Sequence, residues 1–244
     1  MMGFIDQMEN VSLEELDEVA LQNRIDYKFV LNKEQLEQII PIIQNNYKVL
    51  KIDGFNSFTY ENNYFDTKKL KFYFDHHNGF SNRIKVRSRK YLETNTSFFE
   101  IKKKEKVDRT AKYREQVDEI VQKIDLDKKE TVQSFLTRDL KKLKLVLNNN
   151  FNRITFVNHE KKERMTLDFN IQFSNKKKIK CFKNFYVLEI KQSKSSERSI
   201  ISEVLKKNNI REQSFSKYIF GVITLNKKIK KNNFLPLIKN LNKI

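Results

Sequence analysis

Apolar and ionic residues alternate one for one through several short stretches of this chain, the period of a β-strand with two unlike faces. In 83–91 (RIKVRSRKY), Arg83, Lys85, Arg87, Arg89 and Tyr91 fall on one face, and Ile84, Val86, Ser88 and Lys90 on the other. In 98–104 (FFEIKKK), Glu100, Lys102 and Lys104 oppose Phe99 and Ile101. In 164–171 (RMTLDFNI), Arg164, Thr166, Asp168 and Asn170 oppose Met165, Leu167, Phe169 and Ile171. In 187–191 (VLEIK), Glu189 and Lys191 oppose Leu188 and Ile190. In full, strands are predicted over 23–31, 47–52, 57–66, 82–92, 96–104, 111–117, 151–158, 163–173 and 184–191. Helices are predicted over 33–45, 67–77, 128–147, 196–208 and 216–226. The clearest is 128–147, where Val132, Phe135, Leu136, Leu140, Leu143 and Leu147 form one apolar stripe. Pro41 is expected to kink or restart the first helix.

Alternation of this kind is also what an antiparallel sheet with one face in water produces. Two details set these strands apart. Arginine supplies half of the cationic positions on these faces in a chain otherwise rich in lysine, which favours ordered contacts with oxyanions over simple solvation. Single carboxylates also recur among the cations, as expected where each pairs with a cation or helps hold a metal. If helices cover the apolar faces, the ionic faces must meet one another. The sheet then closes into a barrel with a charged lumen, and ~8 strands leave room for a small ligand.

Composition adds limits. The 244 residues include 49 Lys+Arg against 31 Asp+Glu, a formal net charge of +18. The mean hydropathy is −0.69, that of a very polar globular chain. Such an excess of positive charge draws in polyanions, although an AT-rich coding sequence also supplies lysine. Length and the lack of repeats or long linkers favour one main domain, over 22–225, between an acidic leader (1–21) and a basic, weakly ordered tail (226–244). Cys181 is the only cysteine, so neither an intrachain disulfide nor a cysteine-based zinc site is available. With glycine only at 3, 54, 79 and 221, neither GxGxxG nor a P-loop exists, and any phosphate must be gripped by charged side chains. His76, His77 and His159 form no HExxH pattern, and no apolar run approaches the ~20 residues that span a bilayer. The start of the chain lacks the basic and apolar segments of a signal peptide, so a cytoplasmic protein is expected.

Read in order, the charged stretches resemble a known family. They run Arg24-Ile25-Asp26-Tyr27-Lys28-Phe29, Tyr64-Phe65-Asp66-Thr67, Lys85-Val86-Arg87-Ser88-Arg89-Lys90-Tyr91 and Phe99-Glu100-Ile101-Lys102-Lys103-Lys104. Lys112-Tyr113-Arg114, Arg153, Arg164-Met165-Thr166-Leu167-Asp168, Leu188-Glu189-Ile190-Lys191 and Phe215-Ser216-Lys217-Tyr218 follow. Over about residues 22–222 this series resembles the VTC domain, the polyphosphate polymerase branch of the triphosphate tunnel metalloenzymes. The resemblance implies an α+β fold: an antiparallel eight-stranded β-barrel forming a triphosphate tunnel, with helices packed around it. It implies that Lys28, Arg87, Arg89, Lys102, Lys112, Arg114, Arg153, Arg164 and Lys217 grip phosphate, with Lys85, Tyr91, Lys104, Lys191 and Ser216 as further substrate contacts. It implies Mn²⁺ or Mg²⁺ held chiefly by Glu189, with Glu100 and Asp168 as further lumen carboxylates, while Tyr64 and Asp66 are structural. Where the family has RxExKY, this chain has the shorter Asp26 and, in place of the tyrosine, Phe29. Asp26 is therefore given no metal. The membrane-spanning and SPX regions of eukaryotic relatives do not occur in the sequence, so export is expected to need a membrane protein partner.

The expected activity is transfer of the ATP γ-phosphate to a growing polyphosphate chain. The attacking phosphate oxygen is already anionic, so positioning and electrostatics suffice without a dedicated base. Two alternatives stand beside it. A tripolyphosphatase or nucleoside triphosphatase in the same tunnel would activate water through Glu100, Asp168 or Glu189. A non-enzymatic binder would hold polyphosphate or RNA, but no RNP-like aromatic motif is present, and RNA is not the expected partner.

Overall fold

The alternating stretches become strands of one sheet in the structure, a computed structural model that describes residues 2–18, 24–105, 110–137, 139, 142–194 and 198–241. The strands are β1 (Asn10–Val11), β2 (Arg24–Leu31), β3 (Lys48–Leu50), β4 (Ser57–Thr67), β5 (Arg83–Tyr91), β6 (Thr96–Lys104) and β7 (Thr110–Val117). They continue with β8 (Leu143–Asn158), β9 (Glu163–Ser174), β10 (Ile179–Phe182) and β11 (Tyr186–Ser193). The main path runs β2-β11-β9-β8-β4-β5-β6-β7, antiparallel throughout, with β10 added beside β9 and β3 beside β8. Only β1 pairs in parallel, with β3.

The class is therefore α+β around a large antiparallel sheet, but the barrel is not closed as expected. Eight strands do lie on the main path, and β1, β3 and β10 bring the total among the described residues to eleven. No ladder among those residues joins β7 back to β2. Both free edges carry cations that line the interior, Arg24 and Lys28 on β2 and Lys112 and Arg114 on β7. Their repulsion opposes pairing across the seam, as edge charges commonly do.

Seven α-helices are described: α1 (Leu13–Glu18), α2 (Lys33–Asn46), α3 (Lys71–His77), α4 (Leu126–Ser134), α5 (Ile200–Lys207), α6 (Lys217–Leu225) and α7 (Leu235–Leu241). Helices α2, α4 and α5 clothe the outer, apolar face of the sheet, whereas α1 and α6 pack on the inner face, on either side of the charged residues. Leu36, Ile39 and Ile43 of α2 and Ile201 and Leu205 of α5 meet Phe29, Leu167, Leu188 and Ile190. Val132 of α4 meets Ile84, Val86, Phe99 and Ile101, and α6 packs on Leu147 and Phe173. At α2 the Asn32 side chain accepts from the Gln35 amide (2.8 Å) while the Gln35 side chain accepts from the Asn32 amide (3.0 Å), a capping box. Pro41 lies within α2 without ending it. It sits on the exposed side, where water can satisfy the Glu37 carbonyl that loses its donor.

The predicted helix 128–147 is the largest departure. Helix α4 stops at Ser134, and from Leu143 the chain is a sixteen-residue strand between β4 and β9. Leu143, Leu145 and Leu147 satisfy a period of two as well as the helical spacing, and two flanking partners decide between them. Leu140 lies outside the described residues. Nor is the tail without structure: Phe234, Leu237 and Ile238 pack against the α6 cluster. At the other end Ile5 and Met8 are buried beneath α2, and Val11 and Leu16 pack with Phe58 and Val157.

One close approach fixes α6 on the sheet. A Cβ on Gly221 would stand 2.6 Å from both Leu147 Cδ2 and Phe173 Cδ1, each fully buried. Gly221→Ala should therefore cost about 1–3 kcal/mol through overpacking, despite the better helix propensity of alanine. Urea denaturation should give a lower midpoint with an unchanged slope.

Candidate functional site

Cross-strand register decides which charges meet on the inner face. Arg87 of β5 is directly opposite Glu100 of β6, and Glu100 is opposite Arg114 of β7. Arg153 of β8 is opposite Asp168 of β9, and Lys28 of β2 is opposite Glu189 of β11. Each alignment gives an ion pair, the sheet counterpart of a helical i,i+4 contact. Arg87 Nε lies 2.5 Å from Glu100 Oε2, and Arg153 grips Asp168 with two parallel bonds of 2.5 and 2.8 Å. Glu189 Oε1 takes Lys191 at 2.6 Å and Lys28 at 2.9 Å, and Lys217 closes on the second Asp168 oxygen.

These side chains line a cavity of about 410 Å³ to which every strand of the main path contributes. Its wall holds eleven cations, Arg24, Lys28, Lys85, Arg87, Arg89, Lys102, Lys112, Arg114, Arg153, Lys191 and Lys217, against the four carboxylates Asp26, Glu100, Asp168 and Glu189. Positive charge is therefore in large excess. One ladder row concentrates it: Lys85 is opposite Lys102, and Lys102 opposite Lys112. None of the three forms an ion pair with a described residue. Like charges so placed repel, and an anionic ligand removes the repulsion.

Aromatic rings stiffen the arginines. The Arg89 guanidinium lies 4.8 Å from the Tyr60 ring centre and that of Arg153 5.1 Å away, and Arg114 covers Phe98 at 3.7 Å. The far end of the cavity is plugged by the start of α6. Ser216 caps this helix, accepts from Lys85 Nζ at 3.1 Å, and is followed by Lys217. Positive helix-end charge thus adds to the cations. Asp66 holds α6 in place: it is fully buried and accepts from the Tyr218 hydroxyl and from the amides of Thr67, Phe72 and Tyr73.

Burial and mutual repulsion shift the titrations. Burial, with Lys102, Arg83, Arg87 and Lys28 around it, pushes the Lys85 ammonium down to about 7. Burial also brings Lys217 down to about 8, only partly offset by Asp168. For the carboxylates burial acts upward, yet the cations prevail. Arg153 and Lys217 hold Asp168 below the usual range, Arg87 and Arg89 do the same for Glu100, and Lys191 and Lys28 hold Glu189 well below it. All three carboxylates are therefore fully ionised at neutral pH.

Of the expected phosphate-gripping residues, Lys28, Arg87, Arg89, Lys102, Lys112, Arg114, Arg153 and Lys217 line the cavity, as do Lys85, Lys191 and Ser216. Arg164 does not. It points inward at a level where α1 covers the sheet, and its Nη2 donates to the Leu16 carbonyl at 2.9 Å. Tyr91 shares the inner strand face past one end of the cavity, against Arg89 and Arg114, and Lys104 lies past the other end, opposite Arg83. The sequence reading overlooked Arg24, Phe151 and Phe215, and treated Tyr64 as structural although it also faces the cavity. Their positions on matched strand faces were the available signal for Arg24 and Tyr64.

Glu100, Asp168 and Glu189 do not gather into one metal site. Among the described residues no group of three or more His, Cys, Asp and Glu could hold a metal ion. Each of these carboxylates instead meets two cations. This donor set does not fit a resident ion held by protein ligands alone. It does fit Mg²⁺ or Mn²⁺ arriving with a triphosphate, since such ions are commonly bound through one or two carboxylates plus substrate phosphates.

The family model described as the VTC domain matches residues 23–226. No curated protein matches the chain. Solved structures similar to it at low identity include the following three. One is a protein from Hippeastrum named for adenylyl cyclase and described as having a dominant triphosphatase activity. It is 13% identical, with 85% of this chain and 97% of that chain covered and a TM-score of 0.49. Another, a candidate adenylate cyclase from Vibrio parahaemolyticus, is 13% identical, with 81% and 97% covered and a TM-score of 0.46. A third, from Pyrococcus horikoshii, is 15% identical, with 83% and 99% covered and a TM-score of 0.45. At TM-scores below 0.5, none of the three bears on what this chain does.

An anion bound beside Lys85 favours its charged form, so binding at pH 8, above the value of about 7, must take up a proton there. Calorimetry with tripolyphosphate in buffers of different ionisation enthalpy should register net proton uptake. In Lys85→Met the uptake should fall sharply, leaving the smaller share due to Lys217 and the ligand itself. Equal uptake by both proteins would contradict the assignment.

Proposed function

The chain belongs to the VTC domain family, and on that footing we propose that it is an ATP-dependent polyphosphate polymerase. The terminal phosphate oxygen of a chain held in the cavity attacks the γ-phosphorus of ATP. The bond from that phosphorus to the bridging β,γ-oxygen breaks, and ADP leaves as the polymer gains one phosphate. Both nucleophile and leaving group are anionic oxygens, so no proton need move.

The observation that carries this reading over hydrolysis is the state of the carboxylates. Water must lose a proton to attack, and its acceptor should have a pKa near the working pH. Glu100, Asp168 and Glu189 are all held below the usual carboxylate range and engaged by cations. They make poor bases but good anchors for cations that must not move. What the reaction requires is relief of repulsion between two polyanions, and fixed cations supply it in an enclosed site without reorganising. Arg87, Arg89 and Arg153, braced by Glu100, Asn62 and Asp168, are suited to grip oxygens in fixed directions. The Lys85-Lys102-Lys112 row and Lys217 supply charge with less directional demand.

A divalent ion that accompanies ATP would meet Glu189 and offset charge on the β- and γ-phosphates. Lys28 and Lys191, both paired with Glu189, stand where they would also reach phosphate oxygens. No described helix is long and apolar enough to cross a membrane.

Incubation of the purified chain with ATP and Mn²⁺ should yield a ladder of polyphosphate on a gel. Orthophosphate released in step with ATP loss, with no growth in chain length, would establish hydrolysis instead. Arg153→Ala should slow chain growth by about 100-fold or more, the typical effect of losing one fixed group that stabilises transition-state charge.

A further inference from the structure

Strand β2 separates the basic cavity from a second one. Its side chains alternate, so Lys28 points into the tunnel while Tyr27 and Phe29 point outward toward α5. There they floor a groove of about 390 Å³, within the size range of small-ligand sites. Arg198, Lys206 and Arg211 line it against one carboxylate, Glu212. None of the three cations forms an ion pair with a described residue, unlike most of those on the tunnel wall. Ser202, which also lines the groove, is 3% exposed, and its Oγ has no hydrogen-bond partner among the described residues. A buried hydroxyl left in this state costs free energy that a ligand oxygen would recover.

The end of α5 is arranged so as not to oppose an anion. Asn209 takes the left-handed conformation (φ 59°) and turns the chain back. The amides of Asn208, Asn209 and Ile210 then bond the carbonyls of Val204, Lys206 and Leu205 at 3.0, 3.0 and 2.8 Å. These carbonyls of the helix C-terminus are thereby satisfied, and the last turn adds Lys206 and Lys207. Cations from three chain positions, unpaired among the described residues, an unsatisfied buried hydroxyl and a half-buried aromatic ring therefore share one concavity. We propose that this outer groove is a second binding site, distinct from the tunnel, for a small ligand bearing a diphosphate group.

The groove is joined to the tunnel by a short path. The Gln213 amide, two residues after Arg211, donates to the Lys28 carbonyl at 2.8 Å, and the same segment continues to Phe215, Ser216 and Lys217 on the tunnel wall. Ligand held by Arg211 thus bears on a strap common to both sites.

The test uses the full chain, with inorganic pyrophosphate and ADP as probes, followed through the backbone amide resonances of Ser202, Asn209 and Arg211. Both probes should shift these amides saturably. The Lys206→Ala/Arg211→Ala double variant alters exposed side chains and should still fold. It should weaken the response of Ser202 and Asn209 by about ten-fold or more, as expected for loss of charged hydrogen bonds. Arg153→Ala, which disturbs only the tunnel, should leave the groove response intact. ADP binding tighter than pyrophosphate would place its base on Tyr27, whereas equal binding would assign recognition to the diphosphate alone. Amides that stay still at saturating probe, or a double variant with unchanged affinity at the groove, would overturn the proposal.

Discussion

Holding many positive charges inside one small space is the problem that the rest of the structure solves. Two unit charges about 5 Å apart repel by roughly 3 kcal/mol at an effective dielectric near 20, and the curled sheet encloses eleven such groups. The interior survives because carboxylates sit where register brings two cations to each. Asp168 takes Arg153 and Lys217, Glu189 takes Lys28 and Lys191, and Glu100 takes Arg87 and, at 3.8 Å, Arg114. Breaking such a pair in a buried setting leaves an uncompensated charge, which is far more damaging than the pair is stabilising.

The compensation is incomplete, and its unevenness is where chemistry enters. Paired arginines are fixed in direction by their carboxylates and by the rings of Tyr60 and Phe98. The Lys85-Lys102-Lys112 row has no such relief, and Lys85 responds by giving up much of its charge at neutral pH. A bound polyanion would resolve both conditions, meeting oriented donors on one side and restoring protons on the other. The helices serve this interior from both faces of the sheet, α2, α4 and α5 from outside and α1 and α6 where the charged stretch ends. The outer three bury the apolar face, and Asp66, deep beneath α3 and α6, delivers Ser216 and Lys217 to the end of the cavity.

Much of this was legible in the sequence because a strand with one ionic face writes its orientation into every second residue. Arg87, Lys102 and Glu189 could be placed on ionic strand faces before any coordinates, whereas Arg153 entered only through the ordered series of motifs that pointed to the family. Three things were not legible. Open against closed depends on the two edge strands meeting, and the cations of 24–31 and 110–117 that oppose it read equally well in sequence as the lining of a closed barrel. The strand at 143–158 was hidden because Leu143 and Leu147 fit two periods at once, and only its neighbours β4 and β9 choose between them. Arg164 shares a face with Asp168, but how far along a strand the cavity extends is set by α1, which covers that level of the sheet. Side-chain direction follows from alternation, whereas depth in a cavity follows from what packs across it.

The central claim is that charges distant in sequence converge to hold one polyphosphate chain. A crystal structure of the protein with tripolyphosphate and Mn²⁺ tests it most directly. The account predicts electron density for the phosphates inside the curled sheet, with oxygens against Arg87, Lys102, Arg153 and Lys217. Density confined to the outer surface, with the internal ion pairs undisturbed and the cavity holding only water, would contradict it.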